Sequence, residues 1–167
     1  MMPGQPQRAR VLVAALTLSA VAFVAITTRE GYTDKAVIPV PGDVPTIGFG
    51  TTEGVKLGDK TTPPKALERA LRDVSTFEGA LKRCVTAPLS QAEYDLFVDL
   101  SYNIGATGFC TSTIVKRLNA RDYAGACDAI LMWKKFNGFD CTTPGNRICA
   151  GLWTDRLRVH ALCLAAQ

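Results

Sequence analysis

At 167 residues the chain is long enough for one well-buried domain and too short for two cores of ordinary size. Its 19 basic and 15 acidic residues leave a net charge of +4 that is dispersed along the sequence, which excludes a nucleic-acid-binding tail. The six cysteines (Cys84, Cys110, Cys127, Cys141, Cys149 and Cys163) form no CxxC pair, and with His160 as the sole histidine a Cys/His metal cluster is excluded; a monomer with no metal and no cofactor is expected.

The first element in the chain is apolar. Residues 11–28, VLVAALTLSAVAFVAITT, carry no charge; Arg8 and Arg10 precede them, and Arg29 and Glu30 close the run. As a helix the run would be about 27 Å long, close to the roughly 30 Å hydrocarbon core of a bilayer. The basic flank predicts that the N-terminus stays inside. Half of the run is small or weakly polar, including Ala14, Ala15, Ser19 and Ala22, so insertion is expected to be marginal. Ala20-Val21-Ala22 offers a small-x-small cleavage site, but no polar linker separates the run from Arg29-Glu30-Gly31-Tyr32. One continuous, uncleaved helix ending near Glu30 is therefore expected. Residues 1–28 read as an export and membrane segment, and 29–167 as the folded domain. An even number of cysteines beyond an export segment predicts disulfides made in an oxidising compartment.

From Ala36 to Val55, β-branched residues, prolines and glycines crowd together, with Pro41-Gly42-Asp43 as a turn. A hairpin or small three-stranded sheet is expected, held to edge-like strands by Pro39, Pro41 and Pro45. After Pro63-Pro64 the pattern is helical. Leu67, Leu71, Val74 and Leu81 recur at helix spacing. Ser90 and Glu93 form a capping box, with Leu89 and Tyr94 as its staple, before a helix carrying Leu96, Phe97 and Leu100 that stops near Asn103-Ile104-Gly105. Asp122 is expected to cap a helix bearing Ile130, Leu131 and Trp133, and Thr154 to open the last, with Leu157, Ala161 and Leu164 facing the core. The fold class is α+β: a small N-terminal sheet lobe and a helical bundle.

The chemistry-bearing stretch is Arg29-Glu30-Gly31-Tyr32 followed by Thr46-Ile47-Gly48-Phe49-Gly50. Cleaving a glycosidic bond needs an acid to protonate the leaving oxygen and a positioned water. A carboxyl at the end of an apolar helix has its pKa raised by desolvation and can hold that proton, although a glutamate at a helix end is more often simply exposed. Gly48 and Gly50 permit close backbone approach, to a sugar or to another element. Tyr102, Asn103, Arg147 and Arg156 are candidates to line a glycan cleft, with packing and ion pairing as the equal alternative. A serine or cysteine nucleophile is excluded by the absence of GxSxG and of a suitably placed histidine.

Glu30-Gly31 with Thr46-Ile47-Gly48-Phe49-Gly50, Leu89 to Tyr94, Ser101 to Gly105, Lys116 to Ala120, and Gly151-Leu152-Trp153 with Arg156 together resemble the phage lysozyme family, glycoside hydrolase family 24, over residues 29–164. The uncharged leader joined to the Glu30 segment resembles the signal-arrest-release endolysins of that family. The resemblance implies a lysozyme-like fold and a muramidase that cuts the β-1,4 bond between N-acetylmuramic acid and N-acetylglucosamine. It also implies peptidoglycan as partner, tethering to the bacterial inner membrane through residues 11–28, release to the periplasm, and dependence on a holin or pinholin. The family usually has an aspartate between the glutamate and the threonine; the corresponding positions here are Pro39 and Val40. Asp34 and Asp43 are the nearest carboxylates. Either Asp43 substitutes through a shifted loop, or Glu30 and Thr46 act without an aspartate, and the second is favoured. A lone glutamate also fits a lytic transglycosylase, and the missing aspartate an inactive, membrane-tethered wall-binding protein. The family pattern suggests the disulfide Cys110–Cys127. Cys141 and Cys149 enclose a short loop and are expected to pair, leaving Cys84–Cys163. With no cysteine before Cys84, thiol exchange with the membrane segment has no basis.

Overall fold

A computed structural model of the chain describes residues 9–39 and 41–167; Arg8 of the basic flank and Val40 lie outside the described residues. The apolar run is not one helix. Val13–Ala15 form a single 3-10 turn, Leu16 is extended, and α1 begins only at Ala20 and ends at Glu30. Ser19 makes the break: its hydroxyl accepts the Ala22 N–H at 3.1 Å and so starts a new helix where continuation was expected. Among the described residues no helix is long and apolar enough to cross a membrane. Ile26 and Thr27 of α1 are buried, whereas Val21 and Val24 face solvent.

Glycine and proline chemistry shapes the stretch after α1. β1 (Thr33–Val37) and β2 (Thr46–Gly48) pair antiparallel, with Thr33 opposite Gly48 and Val37 opposite Thr46. The unequal spacing means a bulge in β1, and the three prolines fall between the strands, where no ladder donor is needed. A third rung joins β1 to the next loop: the Ala36 N–H donates to Asp59 O and the Thr61 N–H to Asp34 O. The sheet rests on α2 (Pro63–Cys84). A Cβ on Gly48 would stand 2.9 Å from the Ala66 Cβ, so the two backbones approach more closely than any larger pair allows. That contact decides which face of α2 is buried. Ala66, Ala70 and Val74 point inward, while Leu67 and Leu71, expected in the core, are turned out. Thr51 Oγ1 donates to Asp73 at 2.6 Å and Arg69 to the Glu53 carbonyl at 2.8 Å, pinning the β2 turn to the same helix.

The chain divides into two compact units, residues 18–79 and the described part of residues 1–17 together with 80–167; the apolar run is thus split between them. The second unit is helical: α3 (Gln91–Ile104), α4 (Ala106–Thr111), α5 (Thr113–Asn119), α6 (Tyr123–Ala129) and α7 (Ala150–Ala165), with a short ribbon of β3 (Lys135–Phe136) and β4 (Phe139–Asp140). The capping box at Ser90 and Glu93 forms as expected, with Leu89 and Tyr94 fully buried beside it. Asp122 caps α6 through the Gly125 N–H, and the Arg117 guanidinium beside it holds its carboxyl below the usual carboxylate range. Two helix boundaries differ from expectation. α6 ends at Ala129 and passes into a 3-10 turn, Ile130–Met132, leaving Trp133 just beyond it. α7 begins at Ala150, so Thr154 lies inside it and donates to the Ala150 carbonyl.

The disulfides account for the orientation of α7 and correct two expected pairs. The bridges are Cys84–Cys110, Cys127–Cys163 and Cys141–Cys149, with Cα separations of 5.6, 5.5 and 5.1 Å. Cys84–Cys163 and Cys110–Cys127 do not form, because the end of α2 lies against α4 and α6 against α7. Cys163 must face α6, and its face of α7, with Arg156 and Val159, is the buried one; Leu157, Ala161 and Leu164 are exposed.

The Gly48–Ala66 contact carries a prediction. Gly48 (φ +65°) and Gly54 (φ +69°) share a left-handed backbone, but only Gly48 is crowded. Replacing either by alanine should cost about 1–2 kcal/mol for the backbone alone, and Gly48→Ala about 1–3 kcal/mol more for overpacking. Equal losses of the two variants in urea unfolding would show that the contact does not constrain the fold.

Candidate active site

Glu30 is the last residue of α1, and Gly31 (φ +72°) turns the chain sharply out of the helix into β1. The next residue, Tyr32, packs its ring against Phe49 at 5.3 Å between centroids. Together with the Thr33–Gly48 pair, this brings the Glu30-Gly31-Tyr32 and Thr46–Phe49 segments to one small sheet. Glu30 is three residues from one member of that pair and Thr46 two from the other. The Glu30 side chain retains 25% of its surface, and its Oε1 lies 3.7 Å from Arg29 Nη2. The site is therefore half-open and carries a cation beside the carboxyl, a wetter setting than an apolar helix end suggests.

Thr46 opens β2, half-buried, and its hydroxyl reaches the Val44 carbonyl at 3.3 Å. Asp43 is exposed in the turn, where its Oδ1 accepts the Val44 N–H at 2.8 Å. That local bond is the side-chain-to-backbone closure that makes aspartate a turn former. Asp34 is exposed on β1, and Pro39 lies in a bend. Gly48 has the structural role described above.

The four candidate glycan-binding residues belong to the helical unit and fall into two kinds. Arg156 is 2% exposed, and its guanidinium donates to the Asn103 side-chain oxygen at 2.5 Å and to Asp155 at 2.9 Å. It therefore fixes the C-terminal turn of α3 from α7. Tyr102 is half-buried on the same turn, whereas Arg147 is exposed in the loop closed by Cys141–Cys149. His160 contacts Asp128 at 2.9 Å across α7 and α6. Sequence reasoning missed Thr51, Asp73 and the Asn103–Arg156 link; each joins residues tens of positions apart, and no local pattern marks them. Among the described residues, no group of three or more His, Cys, Asp or Glu side chains could hold a metal ion.

A glutamate leaving a helix into a small sheet, with a helical unit following, defines a lysozyme-like α+β protein. The model of the phage lysozyme family matches residues 27–156, which include Glu30, Thr46 and Arg156. Among sequence relatives, an endolysin of Salmonella phage P22 is 38% identical over 112 residues, covering 64% of this chain and 76% of the relative. A SAR-endolysin of Pseudomonas phage phiKMV is 34% identical over 144 residues, covering 85% and 84%. Among solved structures, an endolysin from Escherichia coli O157:H7 phage FAHEc1 superposes with a TM-score of 0.75 at 31% identity, covering 92% of this chain and 96% of that one. The chain belongs to the phage lysozyme family, and its function is of the lysozyme type, hydrolytic and lytic for peptidoglycan.

The burial of Arg156 separates it from Arg147 in a measurable way. Arg156→Met should lose about 1.5–3 kcal/mol, since it removes a charge-assisted hydrogen bond to the Asn103 side chain, whereas Asp155 keeps Arg158 as a partner. Arg147→Gln should stay within about 0.5 kcal/mol of the parent, as exposed substitutions do. Unfolding in denaturant measures both, and an Arg156→Met protein as stable as the parent would contradict the fixing role.

Proposed function

We propose that the chain is a muramidase that hydrolyses the β-1,4 bond between N-acetylmuramic acid and N-acetylglucosamine, with Glu30 as general acid and Thr46 holding the attacking water. The observation that carries this reading is the convergence of Glu30-Gly31-Tyr32 and the Thr46–Phe49 segment on one sheet through the Tyr32–Phe49 rings and the Thr33–Gly48 pair. Glu30 gives its proton to the glycosidic oxygen as the bond to the anomeric carbon breaks. Water adds to that carbon, and the proton it releases restores Glu30 through solvent. The Thr46 hydroxyl both donates and accepts, so it can orient the water although it is a poor base. The turn bond of Asp43 to the Val44 N–H favours a site that runs without an aspartate. Tyr102, Asn103 and Arg147 contact the glycan, and Arg156 acts through Asn103.

The setting belongs to the same proposal. Residues 11–28 tether the chain in the host inner membrane with the N-terminus inside, a holin or pinholin times their release, and the full-length enzyme then acts as a monomer in the periplasm. The resemblance to a SAR-endolysin over most of both chains supports this, as does the dilution of the run by alanine, serine and threonine.

Two experiments test the chemistry. Glu30→Gln keeps the shape and removes the donated proton, so lysis of permeabilised Gram-negative cells should slow by about 10²-fold or more. A folded variant with near-parental activity would eliminate Glu30 as the acid. Thr46→Val should be severe and Asp43→Asn mild; the opposite ranking, with melting unchanged, would assign the water to Asp43. Product mass reports the reaction type, because hydrolysis adds water whereas an anhydro-sugar end would make the enzyme a transglycosylase.

A further inference from the structure

The basic flank of the apolar run has a partner inside the folded protein. Arg10 Nε donates to Glu93 Oε2 at 2.9 Å and to Oε1 at 3.1 Å, and Arg10 Nη2 donates to Oε1 at 2.6 Å. The Glu93 side chain has no exposed surface. The same carboxylate accepts the Ser90 N–H at 2.7 Å to complete the cap of α3, and it accepts the side-chain amide of Gln167 at 3.2 Å. The Arg10 guanidinium also lies 3.7 Å from the centre of the Tyr123 ring, whose hydroxyl donates to the Pro88 carbonyl. The backbone follows the side chain: Val11 and Leu89 exchange hydrogen bonds of 2.9 and 2.8 Å, and Val13 and Leu16 are buried in this unit.

We propose that Arg10 is used twice, first as a charge that keeps the N-terminus inside while residues 11–28 span the membrane, and after release as the partner of the buried Glu93, so that the Arg10–Glu93 pair latches the released form. The inference rests on the reading of residues 11–28 as a reversible anchor. In the anchored chain Arg10 and Glu93 are on opposite sides of the bilayer, separated by about 30 Å of hydrocarbon, and cannot meet. Glu93 then lacks the guanidinium of Arg10, and the Val11–Leu89 bridge and the burial of Val13 and Leu16 are unmade with it. When the run leaves the membrane, Arg10 must cross, and its arrival gives the capping carboxylate its counter-charge and joins it to Gln167. A buried carboxylate with a forked partner makes return costly, because re-insertion would strip Glu93 of its counter-charge. Arginine suits both tasks, for it stays charged in either setting and its planar fork spans both carboxylate oxygens.

The test uses full-length protein, with fractionation of expressing cells before and after an uncoupler and melting of the released soluble form. Arg10→Gln leaves Arg8 as a positive flank, and Glu93→Gln keeps a side chain able to complete the capping box. Each single variant should melt about 5–10 °C below the parent, and the double variant no lower than either single one. After the uncoupler, Glu93→Gln, whose basic flank is intact, should remain in the membrane fraction severalfold more than the parent. Additive losses in the double variant, or release of Glu93→Gln as complete as that of the parent, would overturn the latch. Parent protein already soluble before the uncoupler would instead overturn the anchoring reading on which the double use depends.

Discussion

The close approach of Gly48 to Ala66 is the constraint on which the Glu30 region depends. Two backbones meet there with nothing larger than a methyl group between them. The consequences run in both directions along the chain. α2 must present alanines to the sheet and turn Leu67 and Leu71 outward, and β2 must carry glycine in a left-handed conformation. Because Gly48 is also the partner of Thr33, the position of β1, and so of Glu30 at the end of α1, depends on where the sheet is pressed onto α2. The Thr51–Asp73 bond and the Arg69 contact to Glu53 hold the rest of the turn in that place. A half-open glutamate is thereby carried at the junction of a helix and a packed sheet rather than on a free loop.

The features legible in the sequence are local. The capping box at Ser90 and Glu93, the Asp122 cap and the stop at Gly105 are each decided within a few residues, and all occur where expected. The α+β class is legible because the proline- and glycine-rich stretch and the helical periodicity are separate in the chain. Features that depend on contacts through space are not. Leucines at helix spacing predict the core face of α2 and of α7. In α2 Val74 and Leu81 are buried as expected, but Ala66 and Ala70 take the inward places expected of Leu67 and Leu71; in α7 the buried face follows Cys163 and Arg156, because a neighbouring backbone and a disulfide select them. Thr154 has the chemistry of a cap, yet the helix starts at Ala150 directly after the Cys141–Cys149 bridge. Of the candidate site, the meeting of the Glu30-Gly31-Tyr32 and Thr46–Phe49 segments on one sheet is legible from motif spacing, whereas the fixing of Asn103 by a buried arginine is not.

The apolar run owes its folded form to its small residues. Alanine, serine and threonine gain little from lipid, and here they make a usable piece of the fold. Ser19 stops one element and starts another, Thr27 returns its hydroxyl to the Phe23 and Val24 carbonyls, and Ile26 supplies a buried contact. A run rich in leucine could not be cut in this way without exposing a large apolar face. The division of the run between two units is thus a property of its small residues.

The connectivity of the bridges bears on how the protein is made. The first pair, Cys84–Cys110, joins consecutive cysteines, but Cys141–Cys149 is nested within Cys127–Cys163. Were each thiol joined to the next in chain order, Cys127 would couple to Cys141 and strand the last two with each other. Reaching the native set requires either that Cys127 waits, reduced, until α7 has been delivered, or that a disulfide isomerase reopens the early mistake by thiolate exchange. The nested arrangement makes the order in which thiols become available, and not only their proximity in the fold, part of how the native set is reached.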